Sequence, residues 1–176
     1  MTTIRALQPD DDRSRFASGD DDLDRFLRRY AGQNQFRHHL GTTYVVVDDQ
    51  AAILGYATVS AGSVVIDALP ESTTKKLPDY PLPVLRLARL AVDSAAQGQG
   101  LGRALVRFVL ELAIEMQAKV GCVGVVVDAK PDAVAFYEAH GFIALDLVEG
   151  QSAARPMPTA MFLSLKDVVA AKNRRK

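Results

Sequence analysis

Apolar positions divide the chain into alternating strand and helix segments. Residues 4–7 form a short strand that stops at Pro9. Leu23, Phe26, Leu27 and Tyr30 recur at i, i+3, i+4 and i+7, one apolar stripe of a helix over about 21–33. Asp20, Asp21 and Asp22 stand at its start, where carboxylates meet the positive end of the helix dipole. Thr42–Val47 is β-branched and aromatic, which predicts a strand. Asp48-Asp49-Gln50 turns the chain into a second strand over 53–60, so the pair reads as an antiparallel hairpin that Val64–Ile66 can lengthen. Pro70, Pro78, Pro81 and Pro83 mark an ordered connection.

Residues 84–92 predict a further strand. Its alternation slips at Leu90-Ala91-Val92, the pattern a β-bulge produces. A glycine-rich loop follows, and then Leu101, Leu105, Phe108, Leu112 and Met116 repeat at helical spacing to about Lys119. Residues 123–127 read as a buried strand. Pro131 suits a helix start and Gly141 its C-cap. Phe142–Leu147 and Ala160–Leu165 are the last strands, and the basic segment ending in Lys172-Asn173-Arg174-Arg175-Lys176 reads as a frayed tail. This order predicts an α/β (α+β) chain with a single domain over 1–165 and a basic tail over 166–176.

Composition narrows the class. Hydrophobic residues are 48% and charged residues 24%, as in ordinary globular domains, and the formal net charge of +0 argues against a generally basic nucleic-acid binder. Cys122 stands alone, so no internal disulfide and no cysteine-based metal site is expected, and a reducing cytoplasm fits. No run resembles a signal peptide or a membrane span.

The chemistry lies in Gln97-Gly98-Gln99-Gly100-Leu101-Gly102. A strand that feeds such a loop into a long helix builds an anion site. First-turn N–H groups lack internal partners, the dipole adds positive potential, and glycine lets the backbone approach. A P-loop needs Lys-Ser or Lys-Thr after the last glycine, and neither follows. A Rossmann turn needs a later third glycine and a distant acidic residue, and both are missing.

The spacing Gln/Arg-x-x-Gly-x-Gly/Ala is met by Gln97, Gly100 and Gly102. Leu90-Ala91-Val92-Asp93 precedes it, and Ala135-Phe136-Tyr137-Glu138-x-x-Gly141-Phe142 follows it. These elements resemble the GNAT superfamily of N-acetyltransferases. The resemblance implies a mixed, mostly antiparallel sheet of six to seven strands, splayed between the fourth and fifth, with about four helices. It implies acetyl-CoA as cofactor, its pyrophosphate on Gln97, Gly98, Gln99, Gly100, Leu101 and Gly102. Backbone groups of Leu90 and Val92, with Ala91 between them, would pair with the pantetheine arm. Asp128, Ala129 and Phe136 would flank the arm, and Tyr137 would protonate the departing thiolate.

No general base announces itself. Asp93 can cap the loop, and His38 and His39 precede a strand. A substrate α-amine, with a pKa of about 8 or below, would need only water as its proton sink. Cys122 reads as a core residue.

Outside the cofactor loop, Phe16-x-x-Gly19, Leu23-Asp24-x-Phe26-Leu27, Thr42-x-Tyr44-Val45, Gly55-Tyr56, Leu87-Ala88-Arg89 and Val127-Asp128-Ala129-Lys130 are similar to the acetyltransferase toxins of type II toxin–antitoxin systems. This similarity spans residues 4–165. One departure is Ser18-Gly19, where those toxins usually carry Cys-Gly. The similarity implies acetylation of aminoacyl-tRNA, a ribbon-helix-helix antitoxin as partner, no membrane, and dimerisation. Phosphate contacts would come from Arg25, Arg28, Arg29, Arg37, Lys75, Lys76 or the tail, and first of all from Arg86 and Arg89 on the strand beside the acceptor groove. Two other readings stay open. One is an enzyme that acetylates a small-molecule amine or antibiotic. The other is a CoA-binding module that acts without catalysis through a protein partner.

Overall fold

The computed structural model describes residues 1–75, 77–145 and 157–175. Strands β1 (Thr3–Ala6), β2 (Thr42–Val47), β3 (Ile53–Val64), β4 (Leu82–Val92), β5 (Gly124–Ala129), β6 (Ile143–Ala144) and β7 (Thr159–Ser164) form one sheet in the order β1-β2-β3-β4-β5-β7-β6. Strand β4 runs parallel to β5. The pairs β1/β2, β2/β3, β5/β7 and β6/β7 are antiparallel. This is the mixed, mostly antiparallel sheet that the family resemblance implies. Helices are α1 (Asp21–Arg25), α2 (Ala31–Phe36), α3 (Glu71–Thr74), α4 (Leu101–Lys119), α5 (Val134–Ala139) and α6 (Leu165–Arg174). No helix among the described residues is long and apolar enough to cross a membrane.

The chain forms two compact units, one from residues 1–60 and 87–111, the other from 61–86 and 112–176. In the first, Leu7, Phe16, Phe26, Leu27, Val45 and Tyr56 are buried together. Tyr56 is the hub. Phe16 meets its ring edge-on at 5.5 Å, and its hydroxyl donates to the Leu23 carbonyl at 2.7 Å. A buried phenol needs such an acceptor, because an unmade hydrogen bond costs about 1–3 kcal/mol.

The helical segment 21–36 departs from the predicted stripe. Asp20 caps it by accepting from the Asp22 and Leu23 N–H groups. Phe26–Tyr30 is then a π-helical turn, in which the Ala31 N–H donates to the Phe26 carbonyl. The wider turn inserts one residue into the repeat. Phe26 and Leu27 remain buried, but the next inward position is Ala31, and Tyr30 is 44% exposed. Straight 3.6-residue periodicity cannot anticipate that shift.

The second unit has its own core. Leu69, Leu82, Val84, Val126 and Phe162 pack there, joined by Val64, Leu77, Val123 and Leu145. Pro83 sits within β4, and its carbonyl accepts from the Val123 N–H at 2.9 Å. Strand β5 reaches Ala129, two residues beyond the predicted end, which places Asp128 and Ala129 on the strand itself. The segment expected as a frayed tail is helical: α6 starts at fully buried Leu165 and carries Asp167 in its first turn and Lys172 and Arg174 in its last. Those charges complement the helix dipole, which explains why a basic end still forms a helix. Lys76, Leu147 and Lys176 lie outside the described residues.

On α4 the buried positions are Leu105, Val106, Val109 and Ala113, while Leu101, Phe108 and Leu112 are only half-buried. The helix is apolar on several sides, so its sequence supports more than one stripe.

Gly124 is forced by contact. A Cβ there would overlap the Phe162 ring and come within 2.6 Å of the Leu163 carbonyl oxygen. Gly124→Ala is expected to destabilise the fold by about 1–3 kcal/mol through overpacking. A urea midpoint equal to that of the parent chain would refute this contact.

Candidate active site

Strand β4 ends in a turn held by side chains. Its residue Leu90 is half-buried, Ala91 is buried and Val92 is half-buried. Asp93 then accepts from the Ala95 N–H at 2.9 Å and from the Ala17 N–H at 3.0 Å. Gln97 donates through its side-chain amide to the Ser18 carbonyl at 2.9 Å and to the Val92 carbonyl at 3.0 Å. Ser18 in turn donates its hydroxyl to the buried Asp24 carboxylate at 2.6 Å. The turn is thereby tied to the segment before α1.

Gly98 and Gly100 have φ of +78° and +81°, and a Cβ on either would meet nothing within 4 Å. Glycine is required there by backbone conformation, and the space above the loop is open. Gln99 is exposed between them. Leu101 and Gly102 open α4, a 19-residue helix with no acidic residue in its first turn. The Ala104 N–H bonds the Gly100 carbonyl, so the N–H groups ahead of it are the free ones. Arg103 is exposed in the same first turn. Open space, free N–H groups and positive potential suit a bound pyrophosphate.

Tyr137 lies on α5 and is 5% exposed. Phe136 and Phe142 meet its ring edge-on at 5.1 Å and 5.4 Å. Burial pushes its phenol well above the ordinary tyrosine value, so it stays protonated across neutral pH. A protonated phenol can donate to a leaving thiolate.

The two arginines on β4 have different partners. Arg86 donates to the Asp128 carboxylate at 3.1 Å, an ion pair on partly exposed side chains. Arg89 lies with its guanidinium 3.8 Å from the centre of the Phe26 ring. Ala88 and Arg89 are both exposed although adjacent on a strand, so the burial alternation slips there. Cys122 is buried, its thiol donates to the Gly124 carbonyl at 3.2 Å, and burial pushes its pKa up, as fits a core residue.

Residues 39–144 match the acetyltransferase (GNAT) domain. The chain belongs to the GNAT acetyltransferase family. A tRNA-acetylating toxin of Mycobacterium tuberculosis (strain ATCC 25618 / H37Rv) is 34% identical over 139 residues, covering 78% of this chain and 82% of that protein. Among solved structures, AtaT complexed with acetyl-methionyl-tRNAfMet matches with a TM-score of 0.85 at 30% identity, over 97% of this chain and 99% of that one. AtaTR bound with AcCoA matches with a TM-score of 0.79 at 30% identity, over 97% of each chain. A tyrosine-to-phenylalanine mutant of KacT matches with a TM-score of 0.83 at 28% identity, over 97% of this chain and 98% of that one.

As a GNAT acetyltransferase the chain uses acetyl-CoA. The loop residues Gln97–Gly102, together with Arg89, Leu90, Ala91 and Val92, lie in the first compact unit. Arg86, Asp128, Ala129, Phe136 and Tyr137 lie in the second. Sequence reasoning missed the straps made by Gln97 and Asp24, and the polar residues Asn34, Thr43, Thr58 and Ser60, which line a cavity of the first unit. Thr43, Thr58 and Ser60 were visible only as short polar side chains on otherwise apolar strands, and Asn34 on α2 carried no such signal.

Burial raises the pKa of both Tyr56 and Tyr137. The folded chain therefore keeps protons that the unfolded chain releases near pH 10, and stability should decline only above about pH 10. The urea midpoint is expected to be level from about pH 7 to 9 and to fall beyond about pH 10, less steeply in Tyr137→Phe. A parent midpoint unchanged at about pH 11 would contradict the burial of these phenols.

Proposed function

We propose that this acetyltransferase moves the acetyl group of acetyl-CoA to the α-amino group of an aminoacyl-tRNA and, as the toxin of a toxin–antitoxin pair, blocks translation. The observation that carries this reading is the 34% identity, across 78% of the chain, to a tRNA-acetylating toxin. Local charge supports it. From Arg25 to Val47 there is no carboxylate, while Arg25, Arg28, Arg29, Arg37, His38 and His39 all occur. Arg29, Arg37, His38 and His39 are exposed, so a chain of zero net charge still has a basic segment for phosphates.

In this reading the loop Gln97–Gly102 and the first turn of α4 hold the pyrophosphate. The backbone of Leu90 and Val92 pairs with the pantetheine amides beside Ala91, and Asp128, Ala129 and Phe136 flank the arm. Acetyl-CoA supplies a thioester carbonyl open to attack by an amine. The acceptor's neutral α-amine attacks that carbonyl, the C–S bond breaks, and Tyr137 gives its phenolic proton to the departing sulfur. The surplus proton on nitrogen passes to water, so no protein base is needed. Solvent then returns a proton to Tyr137.

The partner in this reading is a small ribbon-helix-helix antitoxin, and the enzyme works as a cytoplasmic homodimer. Structures of AtaT bound to the C-terminus of its antitoxin AtaR match this chain at 26% identity.

Labelled acetyl-CoA incubated with total charged tRNA should label aminoacyl-tRNA. Label on polyamines or aminoglycosides alone would overturn the reading. Tyr137→Phe is expected to lower kcat by about 10²-fold or more, the range of general-acid contributions, while acetyl-CoA affinity stays within about threefold. Expression of the parent chain should arrest growth, and expression of Tyr137→Phe should not. Unchanged turnover in that variant would remove Tyr137 from the mechanism.

A further inference from the structure

Helix α5 ends in a closed turn built around Tyr137. The Gly141 N–H donates to the Glu138 carbonyl at 2.9 Å, and the Phe142 N–H donates to the Tyr137 carbonyl at 3.1 Å, with Gly141 at φ +92°. These are the two nested bonds of a glycine-closed helix end, in which an apolar contact commonly joins the residues of the outer bond. Here that contact is the Phe142 ring, edge-on to the Tyr137 ring. The His140 N–H reaches only three residues back, to the Tyr137 carbonyl at 3.0 Å. The Phe136 carbonyl, one full turn before His140, is met instead by the imidazole, whose Nδ1 lies 2.7 Å from it.

A carbonyl oxygen can only accept, so Nδ1 carries the proton, and Nε2 of the neutral ring is an acceptor. That Nε2 is buried and has no partner among the described residues. For stability alone an imidazole is a poor choice here. A phenyl ring would fill similar space without burying an unmet acceptor. What the imidazole adds is the Nδ1–H bond, and that bond holds Phe136. The ring of Phe136 packs on the imidazole at 4.6 Å and meets the Tyr137 ring edge-on at 5.1 Å. Tyr137 therefore lies between two rings, Phe142 fixed by the closed turn and Phe136 fixed at its carbonyl by His140. All of these groups belong to the second compact unit.

Resting on the function proposed above, we propose that His140 is a positioning residue for Tyr137: its Nδ1–H bond to the Phe136 carbonyl holds the Phe136 ring against the Tyr137 ring and so aims the phenol at the leaving thiolate. His140 passes no proton to the substrate and acts through Phe136. The need for such support follows from the helix itself. Helix α5 has six residues, and so short a helix depends on its end contacts to stay closed. A general acid must stand within hydrogen-bond reach of the atom it protonates. A misplacement of about 1 Å can cost about 10²-fold in rate.

The test reads CoA thiol release from acetyl-CoA by the full-length chain, with total charged tRNA as acceptor. His140→Phe keeps a ring and removes the donor. It should lower kcat about tenfold, a part of what a misplacement of about 1 Å can cost, while acetyl-CoA affinity measured by calorimetry stays within about threefold. His140→Asn keeps an N–H donor at the Nδ1 position and should restore kcat to within about threefold of the parent. In a Tyr137→Phe chain, His140→Phe should change kcat less than about twofold, because a residue that acts through the phenol then has nothing left to position. Parent-level kcat in His140→Phe, a His140→Asn chain as slow as His140→Phe, or losses that multiply in the double variant would overturn this proposal alone. So would a His140→Phe chain that no longer binds acetyl-CoA, since the imidazole would then serve the fold. Unchanged turnover in Tyr137→Phe, or no thiol release with charged tRNA, would overturn it together with the function it rests on.

Discussion

The turn after β4 exposes bare backbone at Gly98 and Gly100, and glycine-rich backbone loses more conformational freedom on folding than any other. Two side chains hold it in place. Asp93 accepts from Ala95 and Ala17, and Gln97 donates to Ser18 and Val92. Gly98 and Gly100 can then hold positive φ beside open space, where a Cβ would meet nothing within 4 Å. The same bonds join the turn to Ser18, whose hydroxyl is fixed by Asp24 at the start of the helical segment. The glycine turn and the first helical segment are thus one hydrogen-bonded piece of the first compact unit.

That segment passes the constraint onward through its π-helical turn. Phe26 packs near Tyr56 on one side and under Arg89 on the other. Ala31, brought inward by the wider turn, lines the cavity with a small side chain. A regular α-helix would aim Tyr30 inward at the next turn. The departure from regular helix is therefore what leaves room beside Arg89, in keeping with the frequent occurrence of π-turns at functional sites.

Charge is distributed with similar economy. The chain is neutral as a whole, yet Asp20, Asp21, Asp22 and Asp24 are grouped at the start of the helical segment, and Arg25, Arg28, Arg29 and Arg37 follow them. Asp20 caps the helix, Asp24 holds Ser18, and Asp11 forms a two-pronged pair with Arg5 that keeps its carboxyl below the ordinary aspartate range. These acids are engaged in local contacts, and so are two of the arginines: Arg25 pairs with Asp22, and Arg28 donates to the Phe16 carbonyl.

The glycine loop, the strand ahead of it and the Phe136-Tyr137 pair were legible because each depends on local backbone chemistry. Only glycine tolerates φ near +80° without strain, and a helix start with open N–H groups is written within a few consecutive residues. The strands were legible for a similarly local reason: β-branched, aromatic and apolar residues cluster in them. Other features depend on partners distant in sequence. Gln97 looked like a motif letter and proved to be a strap to Ser18 and Val92. Arg86 and Arg89 looked equivalent, and only Asp128 on β5 and Phe26 on the π-turn distinguish them. Gly124 looked like a plain strand residue until the Phe162 ring lay over it. The amino-acid sequence by itself determined most of the strands, the glycine turn and the start of α4, because those follow from neighbours along the chain. Tertiary structure alone decided the helical register after Phe26, the cavity and the difference between the two arginines, because packing between distant segments sets which face turns inward and which charge is neutralised.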